Sequence, residues 1–340
     1  MGEDHRVKKK VVYFTDPGLI HSALSFFNME SYSGKETPVK LHMGEIRNKW
    51  FIKPDFIKLV VDELKNINAK PYLTDTTVAY NSMRSTKKGY EKVARIHGFT
   101  EKNVGCPVVI DDTGVLVNIE GYGFHVASSI HQSDHLIIVS HVKGHIQTGM
   151  GGAIKNIGMG GVTKESKRMM HDGSKPVYNQ DACVYCGLCS ERCPFNAIRV
   201  TGERWLYKSN RCFGCGLCID SCGNEALSYR LADLQLLLAH SAKACVQGKR
   251  VIYINELKRI VKGCDCDPFV KDVICPDIGY LVSDDIVAVD AASLDLVDRV
   301  KPGVFKNTHG VDPRKQVKYG EQIGLGESSY ELVELNEKPR

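Results

Sequence analysis

Eight of the thirteen cysteines fall into two copies of one spaced motif. The copies read Cys183-x2-Cys186-x2-Cys189-x3-Cys193-Pro194 and Cys212-x2-Cys215-x2-Cys218-x3-Cys222-Gly223. Gaps of two residues let three thiolates meet neighbouring corners of one cubane iron–sulfur cluster, while the fourth points to the other cluster. The spacing therefore predicts two [4Fe-4S] clusters with crossed ligand sets. These sets are Cys183, Cys186, Cys189 and Cys222 for the first cluster, and Cys193, Cys212, Cys215 and Cys218 for the second.

Zinc and disulfide bonds are the alternatives for so many cysteines. Zinc ribbons pair two separated Cys-x2-Cys knuckles, and disulfide frameworks belong to small secreted chains. The two copies are also offset by 29 residues beyond the cysteines, since Gly187-Leu188 recurs as Gly216-Leu217. An internal repeat of this kind is typical of two related ligand loops, each followed by a short helix and a strand.

Residues 176–230 resemble the bacterial two-cluster ferredoxins on these motifs. The resemblance implies a small α+β module that transfers single electrons. The segment holds six basic and five acidic side chains. A nearly neutral surface favours a fixed electron path inside a larger protein over a diffusing carrier steered by its charge.

A second group of reactive side chains follows the apolar run at residues 135–141. His145, Lys155 and His171 lie in or just after a glycine-rich segment, where a strand runs into a loop. Neutral imidazoles bind metals or move protons, and a lysine stabilises a carboxylate or an enolate. We therefore expect these three residues to be catalytic and to line a small-molecule or metal site. The alternative is that the histidines are structural and Lys155 binds a carbonyl group or a substrate phosphate.

The spacing of this group resembles that of the nickel-pincer lactate racemases. In that family a histidine begins a glycine-rich loop, a lysine ten residues later tethers the cofactor, and a histidine sixteen residues beyond binds nickel. His145, Lys155 and His171 have these intervals. The resemblance implies a metal-dependent isomerase or racemase with accessory clusters.

Three more cysteines lie close together in the C-terminal part of the chain. Cys264, Cys266 and Cys275 form a candidate third metal site. A redox disulfide is an alternative, as is a core position for Cys275. Cys106 and Cys245 have apolar neighbours and are expected in the core.

The elements around these groups alternate between strands and helices. Strands are predicted near residues 10–15, 38–43, 70–75, 107–111, 116–119, 135–141 and 250–255. Helices are predicted from Pro54, over 86–97, over 231–246 and over 284–297. This alternation predicts an α/β fold with a mixed or mostly parallel sheet.

The pattern on both sides of the cysteine motifs predicts one α/β body with an inserted module. Its parts are residues 1–175, the module at 176–230, and residues 231–340. The whole chain resembles a ferredoxin-domain-containing iron–sulfur protein family of unknown function. The segments that carry this resemblance are 141–145, 151–156, 263–266, 276–279 and 283–290.

Composition limits the functional classes further. The chain is 43% hydrophobic and 25% charged, and its formal net charge is +5. No apolar run is long enough to span a bilayer, and the basic residues are too scattered to predict a nucleic-acid surface. The first ten residues lack an apolar stretch of signal-peptide length, so we expect a cytoplasmic protein in an anaerobic cell.

These observations predict an electron-transfer protein. The expected partners are a redox protein, as donor or acceptor, and a small-molecule substrate, with a further metal or small-molecule cofactor as an additional possibility. An oxidoreductase with an internal electron path is the first interpretation. A carrier or docking subunit of a larger complex is the second, and the isomerase is the third.

Overall fold

The computed structural model describes residues 8–335. The cytoplasmic location was predicted from the first ten residues, and seven of these lie outside the described part of the chain. Within these residues the strands are β1 (Lys9–Phe14), β2 (Glu36–Lys40), β3 (Lys70–Thr76), β4 (Val108–Asp111), β5 (Gly114–Ile119), β6 (Tyr122–Ala127), β7 (His135–His141), β8 (Lys143–His145), β9 (Gly149–Gly151), β10 (Pro176–Tyr178), β11 (Ile198–Thr201), β12 (Arg204–Tyr207), β13 (Leu227–Tyr229), β14 (Arg250–Leu257), β15 (Ile260–Val261), β16 (Val273–Cys275), β17 (Gly279–Ser283) and β18 (Tyr330–Glu334).

The helices of the same part of the chain are α1 (Ile20–Leu24), α2 (Pro54–Asn66), α3 (Lys87–Ile96), α4 (Glu101–Val104), α5 (Ser128–His131), α6 (Ala153–Gly160), α7 (Lys164–Gly173), α8 (Leu188–Glu191), α9 (Leu217–Asp220), α10 (Leu234–Val246), α11 (Ile286–Val300), α12 (Val304–His309) and α13 (Lys315–Gln322). None of these helices combines the length and the apolar character that a membrane crossing needs.

An eight-stranded sheet in the order β18-β1-β17-β14-β7-β2-β3-β4 forms the centre of the molecule. The five strands from β14 to β4 are all parallel. β17 is antiparallel to both of its neighbours, β1 and β14, and β18 is parallel to β1. The sheet is therefore mixed and mostly parallel, which confirms the predicted α/β class.

Helices cover both faces of this sheet, so its central strands are buried on both sides. Alternate residues of β7 enter different cores: Leu136 and Ile138 pack with α6, α10 and α11, while Ile137 and Val139 pack with α2 and α3. Strands buried on two faces read as continuous apolar runs in the sequence. The run at β7 is of this kind, and its predicted bounds match the observed strand.

Residues 176–230, called the cysteine-rich module below, leave the body and return to it at one place. β10 and β13 pair antiparallel at its two ends, and Leu231 N–H donates to the Gly173 carbonyl at 2.7 Å. The 29-residue repeat is visible in the backbone. Positive φ angles recur at Gly187 and Gly216 (81° and 79°) and at Asn196 and Glu225 (48° and 53°).

Some predicted elements differ from the observed ones. The strand expected near residues 116–119 is β5, which pairs only with β6 in a hairpin outside the central sheet. The helix expected from residue 231 begins at Leu234, because the Asp233 side chain accepts from Gln235 N–H and caps it. Cys106 and Cys245 are buried, as predicted.

Candidate functional site

A cavity of about 420 Å³ lies at the carboxyl ends of the parallel strands. Lys40 ends β2, Asp75 is the next-to-last residue of β3, and Lys143 begins β8 just after β7. Open α/β sheets bind ligands in the crevice at this edge. Other parts of the chain complete the lining with Lys155, Asn156, Lys167, Arg168, His171, Cys212, Phe213, Cys264 and Cys266.

The cavity wall is strongly basic. Seven lysine or arginine residues line it against two aspartates, Asp75 and Asp172. Three of the lysines have carboxylate partners: Lys40 Nζ lies 3.3 Å from Asp75 Oδ1, Lys143 Nζ 3.0 Å from Asp265 Oδ2, and Lys175 Nζ 2.8 Å from Asp172 Oδ1. The lining still holds more basic than acidic side chains, and such an excess of positive charge attracts anions.

Lys155 differs from these three lysines, because it has no partner among the residues that the structure describes. Within residues 8–335, its ammonium group makes no hydrogen bond or ion pair, although it lies on the cavity wall in α6. Burial, followed by repulsion from Lys143 and Lys40, lowers the pKa of Lys155 to about 7. The group is therefore free to meet a ligand and to exchange a proton near neutral pH.

The two predicted histidines line the same cavity. His145 Nδ1 lies 3.3 Å from the backbone N of Gln147 and 3.1 Å from Thr148 Oγ1. Burial and the nearby Lys155 hold the pKa of His145 well below its ordinary value. The same two causes lower the pKa of His171 to about 4. The structure thus brings together all three residues predicted as catalytic, with both imidazoles neutral at pH 7.

A buried carboxylate holds one wall of the cavity. Asp265 is fully buried, and its Oδ1 lies 2.8 Å from His141 Nδ1. His141 Nε2 lies 2.9 Å from the Lys258 carbonyl, so both ring nitrogens face acceptors. Burial alone would raise the pKa of Asp265, but His141 and Lys143 outweigh it and hold that pKa well below the ordinary carboxyl value.

The glycines before α6 serve close packing. A Cβ atom on Gly152 would collide with the Asp290 carboxylate. That carboxylate accepts from the backbone N–H groups of Ala153 at 2.7 Å and Ile154 at 2.9 Å. A protein carboxylate therefore occupies the N-terminus of α6, where a nucleotide-binding loop would bind phosphate.

The eight motif cysteines surround two cavities in the module. One, of about 230 Å³, is lined by Cys183, Cys186, Cys189 and Cys222. A smaller one is lined by Cys193, Cys212, Cys215 and Cys218. All eight are free thiols, and each set combines three cysteines of one run with the fourth of the other. Within residues 8–335, no three His, Cys, Asp or Glu side chains are placed to bind a single metal ion. The four thiols of each set therefore line a cavity and are not directed at one ion. The clusters themselves stay a prediction.

The loop that carries the second cysteine run borders the large cavity directly. Cys212 and Phe213 line it together with Lys155 and His171. The side-chain amide of Gln147 donates to the Phe213 carbonyl, and it also lies 3.3 Å from His171 Nδ1. The loop of the second cysteine run therefore borders the same cavity as the three predicted catalytic residues and is hydrogen-bonded to Gln147 beside them.

The predicted third metal site is not formed by its three cysteines. Cys264 and Cys266 are joined by a disulfide bond and line the large cavity. Cys275 is buried on β16, opposite Ile260, and belongs to the hydrophobic core. Burial raises the pKa of the Cys275 thiol, as expected of a core residue. A disulfide between the two loop cysteines and a core position for Cys275 are the alternatives that the sequence left open.

Sequence analysis missed several residues that form this site. Arg84 is fully buried beside the cavity, where its Nε donates to Glu45 at 3.0 Å and Nη1 lies 2.7 Å from His42 Nε2. Lys167 donates to the Thr77 carbonyl at 2.7 Å. These residues come from separate segments without a shared motif, so their spacing carries no signal. Only the order of strands in the sheet brings them together.

Comparison with known proteins assigns the family. Residues 38–295 match the family described as "Domain of unknown function (DUF362)". The chain belongs to this family. The match covers the cavity, the cysteine-rich module and both segments of the body that flank it. A search among curated proteins finds no match.

Two solved structures are similar to this DUF362 protein at low identity. A lactate racemase apoprotein from Thermoanaerobacterium thermosaccharolyticum has a TM-score of 0.43 and 12% identity, covering 88% of this chain and 59% of that one. A structural-genomics protein from Thermotoga maritima has a TM-score of 0.42 and 11% identity, covering 90% and 59%. The chain thus spans about three fifths of the length of either structure.

Proposed function

We propose that the chain is an iron–sulfur oxidoreductase, in which two [4Fe-4S] clusters exchange single electrons with an anionic small molecule held in the basic cavity. One observation carries the proposal: the loop with Cys212 and Phe213 lines the same cavity as Lys155, His145 and His171. An electron path that ends at a ligand site explains why a nearly neutral module is built into the α/β body.

The chemistry of the donor sets supports the cluster assignment. Each of two sets of four free thiols combines three cysteines of one run with the fourth of the other, and cubane clusters take cysteine thiolate ligands. Zinc would need four thiols directed at one ion, and disulfide bonds would need thiols in contact. When bound, such clusters supply one-electron transfer at potentials that their hydrogen bonds and exposure adjust.

The charges of the cavity support a carboxylate or a phosphate ester as the ligand. Lys40 and Lys143 are held in ion pairs with Asp75 and Asp265, so the excess positive charge of the wall lies on its other lysine and arginine side chains. Lys155 has no such partner and would donate directly to the anion. Lys155, whose pKa is lowered to about 7, would supply the proton that accompanies a reduction, while the neutral rings of His145 and His171 would hydrogen-bond the ligand.

Anaerobic purification with iron and sulfide measured per chain tests the cluster assignment. About eight irons per chain are expected from two cubanes. Cys212→Ser should lower the content toward about four, while Cys106→Ser, at a buried position outside the module, should leave it unchanged. Fewer than four irons in the unaltered chain would contradict the proposal.

A second candidate function is a metal-dependent isomerisation by proton abstraction. The observation that favours it is the meeting of His145, Lys155 and His171 around one cavity, with Lys155 unpartnered. A purified protein that contains stoichiometric nickel and neither accepts nor donates electrons would favour this reading. A stable partner on purification would instead favour a carrier subunit of a larger complex.

A further inference from the structure

The Cys264–Cys266 disulfide lies on the wall of the cavity, in the loop between β15 and β16. Its two residues are partly exposed, while Asp265 between them is fully buried. Both cysteines line the cavity, while the Asp265 carboxylate binds His141 and Lys143 in the body. The sulfurs are therefore available to a ligand or to another redox group.

Contacts on the buried side hold this loop in place. His141 and Lys143 bind the Asp265 carboxylate at 2.8 and 3.0 Å. Glu45 N–H donates to the Asp265 carbonyl at 3.0 Å, and the Asn48 side chain donates to the Asp267 carbonyl at 2.8 Å. The loop keeps its position without help from the disulfide, so the bond is free to open and close.

This disulfide is poorly suited to stabilising the fold. A crosslink stabilises a fold by restricting the unfolded chain, and the effect grows with the number of residues that it encloses. Here a single residue, Asp265, separates the two cysteines. Exposed disulfides with little structural purpose are the ones that serve redox chemistry.

The surroundings of the disulfide suit electron and proton delivery. Cys212, a predicted ligand of the second cluster, lines the same cavity. Lys143 and Lys155 also line it, and nearby cations stabilise the thiolates that form when a disulfide opens.

We propose that Cys264 and Cys266 are a redox-active pair that collects two electrons, which arrive singly through the clusters. The inference rests on the proposed function and deepens it. The S–S bond breaks as the pair takes up two electrons and two protons, and two thiols form. A low-potential one-electron carrier protein is the source of the electrons, and solvent entering the cavity is the source of the protons. The pair then serves the two-electron reduction of the bound anion, during which the S–S bond forms again.

Thiol labelling of the cluster-loaded protein tests the pair. Trypsin releases residues 263–271, which contain both cysteines and no other. The protein is equilibrated anaerobically with methyl viologen at a series of potentials, quenched with N-ethylmaleimide and analysed by mass spectrometry. We expect no label on this peptide at high potential and two labels at low potential, with the steepness of a two-electron couple.

Two variants and one independent measurement make the result specific. Cys264→Ser should leave one label at every potential, whereas Cys275→Ser, at a buried position, should keep the two-electron transition. Iron content and the electron paramagnetic resonance signal of the reduced clusters are measured on the same samples. If the clusters are reduced while the peptide stays unlabelled, the proposed redox role of Cys264 and Cys266 is wrong, but the proposed function is not affected. Two labels under oxidising conditions would contradict the redox role in the same way. Absence of iron would overturn both the pair and the proposed function.

Discussion

Lys155 is the residue on which the chemistry of the cavity depends most directly. It is the cavity lysine with a pKa lowered to about 7 and no partner among the described residues. The fixed cations Lys40 and Lys143 produce part of that shift by repulsion. The lysines that line the cavity with Lys155 therefore also lower its pKa.

Replacement of this lysine should weaken anion binding. We expect Lys155→Met to lower the affinity for inorganic phosphate or acetate by about 10- to 100-fold, because a hydrogen bond to a charged group contributes about 1.5–3 kcal/mol. Titration calorimetry at low salt measures the change. Lys58→Met, on the exposed face of α2, is the matched control and should bind as the unaltered chain does. Equal affinities in both variants would exclude Lys155 from the site.

The affinity of the unaltered chain should also depend on pH. A lysine with a lowered pKa is charged below that pKa, so the charges of Lys155 and Lys167 are present below about pH 7 and lost above it. Affinity for acetate, whose own charge is constant in this range, should fall as pH rises from 6 to 8. In the Lys155→Met variant, any remaining fall in acetate affinity with rising pH is expected to come from Lys167. A flat profile in the unaltered chain would contradict these assignments.

At the scale of elements, α6 is positioned by a carboxylate from another helix. Asp290, in α11, receives the first N–H groups of α6 and also accepts from the Asn255 side chain of β14 at 2.8 Å. Burial raises the pKa of Asp290 to about 6, and these donors oppose that rise. The contact ties α6, which carries Lys155, to the sheet.

Removal of this contact should destabilise the body. We expect Asp290→Ala to lower the free energy of unfolding by about 2–4 kcal/mol, because buried N–H donors lose their partner. Chemical denaturation measures the loss. Asp62→Ala, at a half-exposed ion pair on α2, should change stability by less than about 0.5 kcal/mol. A loss at Asp290 no larger than that at Asp62 would show that water replaces the carboxylate at α6.

The sequence predicts an element well where its signal is local. The apolar run of β7 and the cysteine spacing are of this kind, and so is the Pro54 start of α2. The edge strand β18 was missed, because it has only five residues and two of them are glutamates, which are depleted in strands. The antiparallel direction of β17 was not readable either, since strand direction depends on how the chain returns across the sheet. Arg84 and Lys167 were not predicted either, because they are far apart in the sequence and come together only in the folded chain.

At the scale of the whole molecule, the body and the cysteine-rich module differ in how they are stabilised. Two extended hydrophobic cores pack on the faces of the central sheet. The module has three buried hydrophobic residues in its own core, Ile198, Cys218 and Leu227, and one of them is a predicted cluster ligand. So small a core gives little stability by itself, and the proposed clusters would supply much of the stability of the module.

Hydrogen exchange with and without iron should therefore separate the two parts. In the iron-depleted chain we expect amides of residues 176–230 to lose protection by about tenfold or more, while β7 and β14 exchange as slowly as in the loaded chain. Mass spectrometry of peptic fragments measures both regions in one experiment. The Phe213 contact with Gln147 should open with the module, so amides near His145 should show an intermediate loss. If β7 and β14 lost protection to the same extent as the module, the clusters would be part of the folding core of the body and not an electron path inserted into a body that folds without them.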